Sequence, residues 1–330
     1  MTRLKNLFLF TFILLLLSNV FSQADKTDSN QKSQIFKEDP TLTKSVEKIL
    51  KKYNLDTSFK TPEGKKEPIS LVVVDLFDPE NPVYGAINPH LKVYPAGMER
   101  IFIATTAMDQ MVKGAYDLDT IVIANEPNVV DFPILPYDPR PKIKVGDYES
   151  IALLVDFILT RNDLTAANEL IEIVSRENIA NFLKDNGFND TIVNKKYKVN
   201  PELDYPKLTD FTDNTTSAYD VAQLFYMVYI TKILDDEKAE LTRRYFRRNL
   251  VKGYMMDNLG EGSVFYHFVV SDNGYTNEAG VVSQNKLNYI ISLFTPLSEE
   301  QAKETFPNLA WDIHSLIIDR AMERVEKKEK

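Results

Sequence analysis

The chain contains no cysteine. That excludes disulfides, thiolate metal sites, a cysteine nucleophile and a lipid-modified N-terminal cysteine. Histidine is nearly absent as well: His90, His267 and His314 stand far apart, and none falls in an H-x-x-x-H or H-E-x-x-H spacing. No metal or cofactor is therefore expected. There is no G-x-S-x-G elbow, since Gly260-Glu261-Gly262-Ser263 reads as a loop leading into a strand. Cations are in deficit, with 39 Lys and Arg against 48 Asp and Glu and a net charge of −9. Nucleic acid is excluded as a partner on that balance, because phosphate contacts need clustered cations. The one basic run, Arg243-Arg244-Tyr245-Phe246-Arg247-Arg248, reads as a solvated helix face paired with Asp235, Asp236 and Glu240. The alternative is contact with an anionic polymer or membrane surface.

No apolar run reaches the ~20 residues that span a bilayer. The longest is Leu7–Leu17, preceded by Arg3 and Lys5 and followed by Ser18-Asn19-Val20-Phe21-Ser22. A basic start, a short apolar core and small residues near a cut site describe a secretory signal over residues 1–22. Its removal takes the formal charge from −9 to −11 and leaves no stable membrane span. Gln23 to about Pro40 is polar and poor in aromatics, as a flexible linker would be. The remaining length is enough to build a core without disulfides.

An amphipathic helix is predicted over Leu42–Tyr53 and a buried strand over Ile69–Leu76. The turn Asp78–Pro82 then leads to a strand near Val83–Ile87, closing a hairpin. Met98–Val112 has a helical apolar period, and residues 125–144, with five prolines, form a long loop. Helices are expected next at Tyr148–Leu159, Thr165–Val174, Glu177–Asn186, about 217–230 and Glu237–Asn249. Strands at Val264–Val270, Ala279–Val282 and Leu287–Thr295 make a meander around Ser271-Asp272-Asn273-Gly274 and Ser283-Gln284-Asn285-Lys286. A last helix covers about Leu309–Val325.

Several short segments carry a resemblance. Thr165-Ala166-Ala167-Asn168 resembles the residues directly after the S-D-N motif in class A β-lactamases and related penicillin-recognising serine hydrolases. Lys113–Asp119 resembles that family's segment after the nucleophile helix. Asp213–Ser217 with Asp220-Val221-Ala222 resembles its Thr-Thr helix start, and Glu278–Val282 its fourth strand. The resemblance covers about residues 42–325 and implies an α+β, β-lactamase/transpeptidase-like fold. In it, a five-stranded antiparallel sheet drawn from both chain ends is flanked by terminal helices. An all-helical subdomain is inserted. The domain would span 41–327, with an α/β part over about 41–113 and 251–327 and a helical part over about 114–250.

At the positions where the family keeps its chemistry, this chain departs. The resemblance sets Gly97 at the nucleophilic serine and Arg100 at the lysine one turn later. Glycine has no nucleophile, and arginine keeps its proton. No serine lies between Ser70 and Ser150 to replace it. The S-x-x-K strings at Ser29/Lys32, Ser45/Lys48 and Ser283/Lys286 fall outside any buried helix start. Asn162, Asp163 and Leu164 stand where Ser-Asp-Asn belongs. Asn200, in Asn200-Pro201-Glu202-Leu203-Asp204, stands where the general-base glutamate belongs. Neither Phe268-Val269-Val270 nor Val270-Ser271-Asp272 supplies the Lys-Thr-Gly strand. What remains is a pocket at a helix start, formed by Gly97, Arg100, Asn162 and Asp163, that holds an anion without reacting. Alternatively Arg100 simply pairs with Asp163. The chain is thus expected to be an exported, periplasmic or extracellular pseudoenzyme that binds an envelope small molecule, a peptide or a protein partner. The alternative is a divergent hydrolase acting on β-lactams or cell-wall peptides.

Overall fold

The computed structural model describes residues 35–61, 64–133, 135–200 and 212–328. The expected signal, most of the expected linker and Glu202 lie outside them. In chain order the strands are β1 (Lys37–Glu38), β2 (Phe59–Lys60), β3 (Lys66–Glu67), β4 (Ser70–Asp75), β5 (Val83–Ile87), β6 (Ile121–Ile123), β7 (Tyr148–Ser150), β8 (Val264–Asp272), β9 (Tyr275–Gln284) and β10 (Leu287–Thr295). The helices are α1 (Pro40–Lys52), α2 (Arg100–Val112), α3 (Ile151–Arg161), α4 (Leu164–Val174), α5 (Arg176–Asp185), α6 (Ala218–Tyr229), α7 (Asp236–Arg247) and α8 (Glu299–Lys328).

The main sheet has six strands in the order β1-β5-β4-β10-β9-β8. Strands from the two ends of the chain meet where β4 pairs antiparallel with β10, Val73 opposite Ile291. All six residues of β4 are buried, because helices cover both faces of the sheet. On one face Leu42, Val46 and Leu50 of α1 and Phe306, Leu309, Ile313 and Ile317 of α8 join Leu71, Val73, Ile291 and Leu293 in a single core. On the other face α6 packs against β4, β9 and β10. The close seat of α1 depends on Gly85, where a Cβ would stand 2.6 Å from the backbone of Leu42 and Thr43. The two meander turns have left-handed backbone at Asn273 (φ 50) and Gly274 (φ 80), and at Asn285 (φ 47) and Lys286 (φ 71). Those are the dihedrals a two-residue hairpin in a twisted sheet requires.

Several boundaries differ from the sequence reading. The sheet has a sixth strand, β1, parallel to β5, within the stretch expected to be linker. Lys37 and Glu38 are exposed and gave no apolar signal. The strand is anchored by its neighbour Phe36, fully buried against the rings of Tyr84, Tyr219 and Tyr226. Burial of such a ring stabilises by roughly 2–3 kcal/mol. Asp39 then caps α1 by accepting the N–H groups of Thr41 and Leu42. Second, Tyr148–Ser150 is a strand paired with β6, because the Ser150 hydroxyl accepts the Leu153 N–H and starts α3 only at Ile151. Third, α8 begins ten residues before the expected Leu309 and carries Pro307 in its interior. Proline gives up one helical hydrogen bond, and the buried Ala302, Phe306 and Leu309 on the core side hold the helix through it.

Candidate functional site

The turn that introduces α2 is bent by two consecutive left-handed residues, Ala96 (φ 52) and Gly97 (φ 99). Asn277 of β9 pins it, its Nδ2 donating to the carbonyls of Tyr94 (3.2 Å) and Pro95 (3.0 Å). The apolar period predicted helix from Met98, but α2 starts at Arg100 after this turn. Arg100 is 4% exposed. Its side chain folds back over the turn: Nε donates to the Gly97 carbonyl and Nη1 to the Asn162 carbonyl, each at 2.8 Å. The guanidinium lies 5.5 Å from the Tyr197 ring and 6.0 Å from the Phe268 ring. It occupies the space into which a side chain at position 97 would project. A Cβ on Gly97 would stand 2.3 Å from Arg100 Nη2 and 2.7 Å from Cζ.

Across the cleft, Asn162 ends α3 in the left-handed conformation (φ 59). Its Nδ2 donates to the carbonyl of Val269 on β8 at 2.8 Å. Asn249 Nδ2 reaches the His267 carbonyl of the same strand at 3.3 Å. β8 is the last strand of the sheet, so these two side chains occupy carbonyls along its outer edge. Along β8, Phe268 faces Arg100 and Val269 meets Asn162.

Asp163 does not pair with Arg100. It caps α4 through the Ala166 N–H at 2.9 Å and binds Arg161 Nη2 at 2.7 Å. Arg161 also meets Asp138 at 3.5 Å and lies on the Phe157 ring, 3.4 Å from its centroid. The structure thus brings Gly97, Arg100 and Asn162 together and turns Asp163 into a separate buried ion network. Leu164 is the first residue of α4 and half-buried. The Thr105 and Thr106 hydroxyls are buried and donate to carbonyls one turn back, Ile101 at 2.8 Å and Phe102 at 2.7 Å.

Asn200 is exposed. Among the described loop residues, Tyr197, three positions earlier, reaches the α2 turn. Asn168 of α4, in the Thr165–Asn168 segment, clamps its backbone from both sides: it accepts the Tyr197 N–H at 2.7 Å and donates to the Tyr197 carbonyl at 3.0 Å. The phenol donates to Glu99 Oε1 at 2.9 Å, and Asn214 Nδ2 donates to the same oxygen at 3.1 Å. Burial pushes the Glu99 carboxyl up, with the neighbouring Arg100 charge opposing it, and burial drives the Tyr197 phenol well up. Glu99 and Tyr197 were not singled out in the sequence, Asn214 entered only within the Asp213–Ser217 segment and Phe268 only within a candidate for the Lys-Thr-Gly strand. Glu99 could have been found as the one acid beside Arg100 at the start of an apolar helix. The loop spacing offers no signal for Tyr197.

Among the described residues, Arg100 is a fixed cation bonded to carbonyls and to no nucleophile; the neighbouring carboxyl, Glu99, is 1% exposed and faces a phenol and an amide. Among the described residues, no group of three or more His, Asp and Glu is placed to hold a metal ion. No helix among them is long and apolar enough to cross a membrane.

The model of the beta-lactamase enzyme family matches residues 46–317. Among solved structures, PBP-A is similar at a TM-score of 0.68 and 15% identity, covering 86% of this chain and 98% of its own. The TLA-3 extended-spectrum beta-lactamase is similar at 0.67 and 15%, covering 84% and 99%. A beta-lactamase from Sphaerobacter thermophilus DSM 20745 is similar at 0.66 and 13%, covering 84% and 98%. No curated protein matches the sequence. At these identities the structural likeness is one of fold.

Proposed function

The chain belongs to the beta-lactamase enzyme family, and from that premise we propose that it is a non-catalytic member, exported to the cell envelope. There it binds an envelope ligand or a protein partner without forming a covalent intermediate. The observation that carries this reading is the Arg100 guanidinium over Gly97, with a Cβ at that position only 2.3 Å from Nη2. A family enzyme needs a side chain there to carry an acyl group; a PBP-A variant is described as an acyl-enzyme complex with penicillin G. In this chain the position has no such group, and the space is occupied by a cation tied to two carbonyls.

The remaining catalytic requirements fail for independent reasons. A lysine that shuttles a proton is replaced by an arginine that holds its own. The loop base gives way to a phenol whose proton is held more tightly by burial. The strand that would receive a substrate is bridged by Asn162. Because Arg100 is 4% exposed, recognition is assigned to the surface around the cleft rather than to an open anion pocket.

The test is to incubate purified protein with a chromogenic cephalosporin, and then to run a thermal-shift screen with cell-wall peptides, glycan fragments and small carboxylates. Absence of turnover together with a shift for one envelope fragment is the expected result. Measurable turnover would instead support a divergent hydrolase.

A further inference from the structure

From Leu241 to Met256 the chain carries five basic residues, Arg243, Arg244, Arg247, Arg248 and Lys252, and no acid, within a chain of net charge −9. The stretch runs from the last turns of α7 through the following loop to the 3-10 turn at Met255–Asn258. Arg243 turns inward, bonding Glu240 and the carbonyls of Val228 and Tyr229. The other four face solvent. Arg244 and Arg247, about one helical turn apart, are exposed and make no ion pair among the described residues. Arg248 shares Asp156 with Arg140, leaving its side chain 54% exposed. Lys252 is 71% exposed and meets Asp257.

The sign of the patch arises partly from α7 itself. Its first turn carries the acids Asp236 and Glu237 and its last turn the cations Arg244 and Arg247, as the helix dipole favours. Lys252 lies beyond the helix and is not explained that way. Neither is Tyr137, whose ring is 62% exposed and whose hydroxyl donates to the Leu250 carbonyl at 2.6 Å, holding it beside the basic loop. Leu250 is itself fixed by its N–H to the Thr160 carbonyl. Met256, at the end of the stretch, is 40% exposed.

We propose that this end of α7 docks the protein on an anionic phospholipid surface. Guanidinium forks match headgroup phosphates, and an exposed tyrosine with its polar tip anchored is the side chain suited to the headgroup boundary. The acidic remainder of the chain orients the molecule, repelled from the surface except at this end. The contact is peripheral and does not depend on whether the cleft is catalytic.

The test is co-sedimentation with vesicles of phosphatidylcholine alone and with phosphatidylglycerol added. The apolar Leu7–Leu17 stretch partitions irrespective of lipid charge, so the comparison is between variants of the same chain. Binding to the anionic vesicles is expected to exceed that to phosphatidylcholine alone, and this excess to weaken with salt and to fall at least about tenfold in Arg244→Gln/Arg247→Gln. The control Lys48→Gln/Lys51→Gln, on the exposed face of α1, is expected to bind as the parent does. Both pairs replace exposed side chains, and circular dichroism verifies folding. Binding indifferent to lipid charge, equal loss in both pairs, or preferential binding to soluble heparin over vesicles would overturn the proposal.

Discussion

Gly97 and Arg100 are expected to be energetically inseparable, so that restoring a side chain at position 97 unfolds the site instead of rearming it. Alanine is the smallest probe. Its Cβ would stand 2.3 Å from Nη2 and 2.7 Å from Cζ of Arg100, well inside contact distance, so one partner must move. If Arg100 moves, it loses its bonds to the Gly97 and Asn162 carbonyls, each worth about 1.5–3 kcal/mol for a charged donor. Keeping a non-glycine residue at φ 99 adds about 1–2 kcal/mol. Gly97→Ala should therefore cost about 4–8 kcal/mol, a large share of the ~5–15 kcal/mol that holds a domain together. In an Arg100→Ala background the clash is gone, and the same substitution should add only about 1–2 kcal/mol. Urea unfolding of the four proteins gives the coupling directly, expected at about 3–6 kcal/mol. If Gly97→Ala costs less than about 1 kcal/mol, or the two changes add, the guanidinium does not fill the space above residue 97.

Other single contacts have measurable consequences. Asn162→Ala loses both the left-handed cap and the bond to Val269, and should cost about 2 kcal/mol by thermal unfolding, with Asn162→Gly recovering only the backbone share. Phe36→Ala should destabilise by about 3–5 kcal/mol, which separates a buried anchor from a linker residue. Glu278 accepts the N–H groups of Tyr254 and Met255 in a fully buried site, and burial pushes its pKa from 4.5 up to about 8. Because the folded value is raised, its contribution is fully present below pH ~4.5 and lost as pH rises through about 8. Glu278→Gln should therefore gain on the parent between pH 5 and pH 9, by up to about 4 kcal/mol; parallel stability curves would refute that.

The architecture was legible where local signals and burial agree. The β-branched run of β4, the Asn273-Gly274 turn and the Ser217 cap of α6 each state their structure within a few residues. The departures of Gly97, Arg100 and Asn162 from the motifs they resemble could be read because residue identity needs no coordinates. Their partners could not. Arg100 bonds carbonyls and faces rings rather than pairing with its sequence neighbour Glu99, while Asp163 is claimed by Arg161 only two residues away, across the bend at Asn162. Tyr197 is held in place by the side chain of Asn168, a contact that no motif spacing signals. β1 escaped notice because two exposed residues carry no pattern, and its anchor Phe36 sits outside the strand.

Whether the cleft is chemically inert is measured most directly by the intact mass of the protein after prolonged incubation with excess penicillin G. The expected result is the mass of the unmodified chain, because no nucleophile stands at Gly97 and Arg100 fills the space beside it. A covalent penicilloyl increment mapped to a residue of the cleft would contradict that inertness.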